Sequence, residues 1–143
     1  MKVIVCLDNA GGMAFNRRRQ SRDRNVISDI MDSLNGEKIY IGRYSGILFE
    51  KYENVVVRPD FLSACEENGT AFVEDRSLAE YISKIDTVVT YLWNRDYPSD
   101  RKIDLALEEP EWELVETKEF AGSSHAIITK NTYVKGKTDV CRF

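Results

Sequence analysis

A chain of 143 residues with 43% apolar and 31% charged residues has the size and composition of one globular domain able to bury its own core. Its net charge of −4, from 20 basic and 24 acidic residues, excludes a general DNA binder, which carries a basic surplus. The opening run Lys2–Leu7 is apolar and predicts a buried strand, but it is far shorter than the ~20 apolar residues of a membrane span. It is also too short for a secretory signal, so a cytoplasmic protein without membrane attachment is expected. Asp8–Gly12 reads as a turn, and Met13–Gln20 as a loop carrying three consecutive arginines, Arg17, Arg18 and Arg19. A helix follows over Asp23–Leu34, because Val26, Ile27, Ile30, Met31 and Leu34 share one face at helical spacing. Ser21 or Asp23 caps its start, and Asn35-Gly36 ends it through the left-handed conformation that glycine tolerates.

Strands are expected at Lys38–Ile41, Asn54–Val57 and Thr70–Val73, with short helical turns at Ser45–Lys51 and Phe61–Glu67. Ser77-Leu78-Ala79-Glu80 has the form of a capping box, and Leu78, Tyr81, Ile82 and Ile85 then recur at helical spacing. Thr87–Trp93 is β-branched and aromatic, which predicts a fifth strand. Asn94–Asp104 reads as a loop, Glu111–Phe120 as a strand, and His125–Val134 as a last long strand. Strands alternate with helices first and dominate later. That order predicts an α/β domain over residues 1–143, with a mostly parallel central sheet and an antiparallel C-terminal edge hairpin.

Cys6, Cys65 and Cys141 are odd in number and scattered, so they fit no disulfide framework; Cys6, in a core strand, reads as inert packing. His125 stands alone, without a histidine partner for a metal, and reads as a hydrogen-bonded surface residue; no metal site is expected. Tyr91 and Trp93 read as core, and Glu108, Glu109, Glu111 and Glu113 as a solvated acidic stretch.

The most unusual local feature is the crowding of Arg17, Arg18, Arg19, Arg22 and Arg24 around a single acid, Asp23. The planar fork of arginine suits phosphate and carboxylate. The loop that carries most of them is expected at the carboxyl ends of the strands, where open α/β sheets bind ligands. Residues 11–24 therefore form a candidate site for an anionic or phosphorylated small molecule or nucleotide, with Asn16, Arg18, Arg19, Gln20, Asp23 and Arg43 as ligand residues. The alternative is a set of solvated arginines paired with nearby carboxylates. An RNA-associated role of the same arginines is a further reading, tested by its salt dependence.

The order of elements resembles the dihydrofolate reductase family. Gly11-Gly12-Met13 is similar to the flexible loop after that family's first strand, and Phe15-Asn16 to its aromatic-polar pair. Gly42-Arg43-Tyr44-Ser45 is similar to its Gly-Arg-x-Thr/Ser turn at the cofactor phosphates, which adds Ser45 to the candidate ligand residues. The resemblance covers nearly the whole chain and implies a three-layer domain and an NADPH-dependent reductase as an alternative function. The departures argue against that cofactor. Where the family has paired glycines beside the pyrophosphate, this chain has Glu74-Asp75, and where it has the pterin-binding carboxylate, this chain has Gln20. Asp23 is the nearest acid, and its flanking arginines are expected to lower its pKa. The run Gly11-Gly12-Met13-Ala14-Phe15-Asn16-Arg17-Arg18-Arg19-Gln20-Ser21 also resembles short bacterial proteins labelled ribonuclease Z. That two-metal chemistry needs several histidines and is rejected here. Whether the chain is an enzyme, and in what oligomeric state, is left open by its residues.

Overall fold

The structure is a computed structural model and describes residues 1–136. Cys141 lies outside the described residues. In chain order the elements are β1 (Lys2–Leu7), β2 (Gly12–Phe15), β3 (Arg18–Arg19), α1 (Arg24–Ser33), β4 (Ile39–Ile41), β5 (Val55–Val57), α2 (Phe61–Ala64), β6 (Thr70–Phe72), β7 (Thr87–Leu92), β8 (Arg101–Lys102), β9 (Trp112–Phe120) and β10 (Ile128–Lys135). Two 3-10 turns, Arg43–Phe49 and Ala79–Tyr81, join them.

The main sheet has the order β5-β4-β6-β1-β7-β10-β9. Its first five strands are parallel, and β10 runs antiparallel between β7 and β9. The expected mostly parallel sheet with an antiparallel edge hairpin is therefore what forms. β1 sits at the centre because both of its faces are apolar. Val3, Val5 and Leu7 point into one buried cluster with Phe61, Leu62 and Leu78, while Ile4 points into a second with Val26, Ile30 and Phe72. These two clusters are the interfaces of a three-layer domain: α1 and the turn Arg43–Phe49 cover one face, and α2 and the turn Ala79–Tyr81 the other.

Packing, rather than capping, holds α1. Val26, Ile27, Ile30 and Met31 are buried, and each such side chain contributes roughly 1.5–3 kcal/mol. The Asp23 cap adds about 1 kcal/mol. The helix has no acid in its first turn and no base in its last, so it is the Asp23 carboxylate at the cap that complements the positive end of its dipole.

Three local expectations are corrected. Met13–Gln20 is not a loop but a hairpin, β2–β3, whose turn residues Asn16 and Arg17 both take positive φ, 52° and 62°. That is the backbone of a two-residue turn matched to strand twist. β8, from the expected loop Asn94–Asp104, pairs with the other side of β2. Third, the helical pattern after Ser77 yields only the 3-10 turn Ala79–Tyr81. Ser77 does not cap it. Its hydroxyl donates to Asp104 Oδ2 at 2.5 Å, and Asp104 Oδ1 accepts the amides of Leu78 and Ala79 at 2.8 and 3.2 Å. A carboxylate far along the chain replaces the local box.

Among the described residues, no helix is long and apolar enough to cross a membrane.

Candidate functional site

The carboxyl ends of the parallel strands converge where α1 begins. There the chain leaves β1 at Asp8, β4 at Gly42, β6 at Val73-Glu74 and β7 at Trp93. The β2–β3 hairpin folds across this end of the sheet. Three linked polar groups hold it there.

The first centres on Asp8, which is buried. Its carboxylate accepts the amides of Ala10, Gly12 and Tyr97 and the side-chain amide of Gln20. Burial works to raise its pKa, but these donors outweigh burial and hold it below the usual carboxylate range. Gln20 also donates to the Pro98 carbonyl at 3.2 Å, while its Oε1 is buried without a partner. The space around it is tight: a Cβ on Gly12 would lie 2.7 Å from Gln20 Nε2 and 2.6 Å from Ser99 Cβ.

The second joins the hairpin to β6. Arg19 is bidentate on Glu74, with Nε 2.8 Å from Oε2 and Nη2 3.1 Å from Oε1. Ser45 donates to Glu74 Oε1 at 2.7 Å. The guanidinium also lies 4.2 Å over the Tyr44 ring and donates to the Tyr44 carbonyl, while the Arg19 amide donates to the Tyr44 hydroxyl.

The third links α1 to the β9–β10 connection. Asp23 Oδ1 accepts the amides of Asn25 and Ser123, each at 2.9 Å, and Oδ2 accepts the Ser124 amide at 2.8 Å. His125 Nδ1 lies 2.9 Å from Oδ2, and Nε2 lies 3.1 Å from Ser21 Oγ and 3.0 Å from the Tyr97 hydroxyl. Trp93 stacks on the imidazole at 4.5 Å between centroids. Burial again favours a raised Asp23 pKa, and the His125 bond and the three amides reverse it, holding Asp23 well below the usual range. The flanking arginines expected to do this are exposed and are not the cause. His125, expected on the surface at the head of a strand, is instead 4% exposed and precedes β10.

Between these groups lies a cavity of about 20 Å³, room for about one water. Cys6, Met13, Val26 and Phe72 line its apolar side, and Ser21, Gln20 and Glu74 its polar side. Burial, reinforced by Glu74 and Asp23, raises the Cys6 thiol pKa, so Cys6 stays protonated beside the cavity. Outside the hairpin a larger hollow of about 400 Å³ is lined by Phe15, Asn16, Arg18, Arg19, Gln20, Tyr97 and Pro98.

The expected ligand residues thus divide. Asn16, Arg18, Arg19 and Gln20 meet around the outer hollow. Asp23 and Ser45 belong to the inner networks, and Arg43 is exposed at the start of its 3-10 turn. Sequence reasoning missed Ser21, Tyr97 and His125 as one cluster, and Asp8 as a buried anchor. The signal for Asp8 was present: an acid closing an apolar strand and followed by glycines finds backbone donors in the turn.

A comparison with solved structures agrees with the order and pairing of the strands. The dihydrofolate reductase from Enterococcus faecalis, complexed with NADP(H) and RAB-propyl, is similar in structure with a TM-score of 0.63 at 14% identity. The match covers 94% of this chain and 95% of that one. The fold is dihydrofolate reductase-like. No protein-family model and no curated protein matches the chain by sequence.

A dinucleotide does not fit the residues present. Glu74, bonded to Arg19 and Ser45, and Asp75 stand where the chain leaves β6. A pyrophosphate there would face two carboxylates rather than the bare backbone of a glycine pair. Among the described residues, no cluster of three or more His, Cys, Asp or Glu side chains is placed to hold a metal ion.

Proposed function

We propose that the protein binds a phosphorylated small molecule, of the size and shape of a nucleotide, in the hollow outside the β2–β3 hairpin. The observation that carries this reading is that Asn16 in the hairpin turn and the run Arg18-Arg19-Gln20 after it line one hollow with Phe15 and Tyr97. Arg18 is exposed and makes no ion pair among the described residues, so its fork is available to a phosphate. Phe15, 48% exposed, offers a face for a planar ring. Arg17, Arg22, Arg24 and Arg43 likewise lack ion pairs among the described residues and add to the local positive field of an otherwise acidic chain.

Isothermal titration with inorganic phosphate and with ADP tests the reading. Both ligands bind the wild-type protein, ADP more tightly, and Arg18→Glu abolishes binding of both. Binding that survives this charge reversal, or no binding of either ligand at low salt, sinks the proposal.

A further inference from the structure

We propose that Ser21 is an activated hydroxyl, with His125 as its base and Asp23 as the orienting carboxylate, and that it accepts an acyl group from an ester or thioester. A nucleophile is recognised by geometry: a hydroxyl within hydrogen-bond reach of a base that a third group orients. Ser21 Oγ, 3.1 Å from Nε2, and Asp23 Oδ2, 2.9 Å from Nδ1, sit at opposite ends of the same imidazole. The ring is fixed on its face by Trp93, and the carboxylate by the amides of Asn25, Ser123 and Ser124. That is the rigid support a reactive group needs.

A tie between α1 and the β9–β10 connection needs Asp23 and the loop amides but has no use for Ser21. Yet the Nε2 end of the ring meets two hydroxyls. Ser21 lines the inner cavity and Tyr97 lines the outer hollow, so His125 stands between the two.

The step balances with water alone. Ser21 Oγ attacks the carbonyl carbon as its proton passes to Nε2. The carbon–oxygen or carbon–sulfur bond to the leaving group breaks, and the departing alkoxide or thiolate takes the proton from Nε2. Water, losing a proton to the same nitrogen, then attacks the acyl-Ser21 carbonyl, releases the carboxylic acid and restores the serine. The cavity beside Ser21 has room for about one water, the size of the nucleophile of the second step. This site is independent of the phosphate reading, since Arg18 takes no part in it.

The test uses the full chain with p-nitrophenyl acetate and an alkyl fluorophosphonate. The expected result is a burst of p-nitrophenol approaching one per chain, and one phosphonyl group per chain located on Ser21 by peptide mass mapping. Ser21→Ala, at a partly exposed side chain, keeps the fold and loses both signals. His125→Gln, checked for a cooperative melt, slows the burst by at least ~100-fold. Labelling that is absent, that persists in Ser21→Ala, or that proceeds equally fast in urea-unfolded protein overturns the proposal.

Discussion

His125 Nδ1 lies 2.9 Å from Asp23 Oδ2, a buried pair that bridges 102 residues of sequence and pins the first turn of α1 to the β9–β10 connection. Asp23→Ala removes the helix cap and leaves a buried imidazole and the Ser124 amide without their acceptor. Leaving a buried donor without its acceptor costs about 1–3 kcal/mol, to which the lost cap adds about 1 kcal/mol. Urea unfolding of the variant is expected to show a midpoint lowered to match, with an unchanged m-value. A loss below ~1 kcal/mol would show that the bond carries little.

Acid destabilises the fold through a small set of aspartates. Asp8, Asp23 and Asp104 all have pKa values lowered in the native state, so the folded protein binds fewer protons than the unfolded chain, whose aspartates titrate near ~3.9. Their contribution is full above that value and is lost as pH falls through it toward the folded pKa values. Stability measured by urea midpoints is expected to be level down to about pH 5 and to fall steeply below it. Asp8→Asn, less stable at neutral pH, shows a shallower acid slope.

Glu74 controls how much positive charge the hairpin offers. Glu74→Gln leaves the Ser45 bond but removes the counter-ion of Arg19. The partly exposed pair is expected to cost roughly 1–2 kcal/mol of stability when broken. Phosphate affinity rises in the same variant by roughly tenfold, or about 1.4 kcal/mol, because Arg19 lines the outer hollow. Calorimetry that finds phosphate binding unchanged or weaker would mean that Arg19 faces Glu74 alone.

The hairpin turn stores strain at Arg17, whose φ of 62° suits glycine better than a branched-off side chain. Arg17→Gly is expected to stabilise the protein by roughly 0.5–1 kcal/mol after the entropy cost of glycine is deducted. Phosphate affinity falls only slightly, about two-fold, since Arg17 adds to the local field but does not line the hollow. Thermal melting and titration of the same sample check both halves.

Gly122 has no room for a side chain. A Cβ there would lie 2.5 Å from Asp23 Oδ2 and 2.6 Å from the His125 carbonyl oxygen. Gly122→Ala is expected to cost roughly 1–3 kcal/mol and to displace the carboxylate from the imidazole. The fluorophosphonate reaction at Ser21 then slows in a variant whose three relay residues are all intact.

The elements that the residues announce locally are the ones that form. α1 follows from a five-residue apolar stripe between Asp23 and Asn35-Gly36, and β1, β4, β6 and β7 from short apolar runs with turn residues after them. Failures trace to partners far along the chain. Ser77 looked like a cap until Asp104 supplied a better acceptor for the same amides. The Asn16-Arg17 turn was unreadable because Arg17 is an unusual residue for positive φ, and only pairing with β8 and β3 on either side of β2 holds it there. The candidate site shows the same division. The arginine crowding was visible, but Glu74, seen only as a repellent carboxylate, turned out to be the partner of Arg19. His125 has its neighbours at positions 21, 23, 93 and 97, and no periodicity brings a lone histidine to them.

The stack of Trp93 on His125 also makes the protein its own spectroscopic reporter. The imidazole lies nearly parallel to the indole, at an interplanar angle of 21°, so any movement of the ring changes the surroundings of the fluorophore. Only one other tryptophan, Trp112, contributes to the background, from the opposite core cluster. With Trp112→Phe in place, the remaining emission follows the position of the His125 ring directly, so events at the carboxyl ends of the strands can be timed by stopped flow without any added dye.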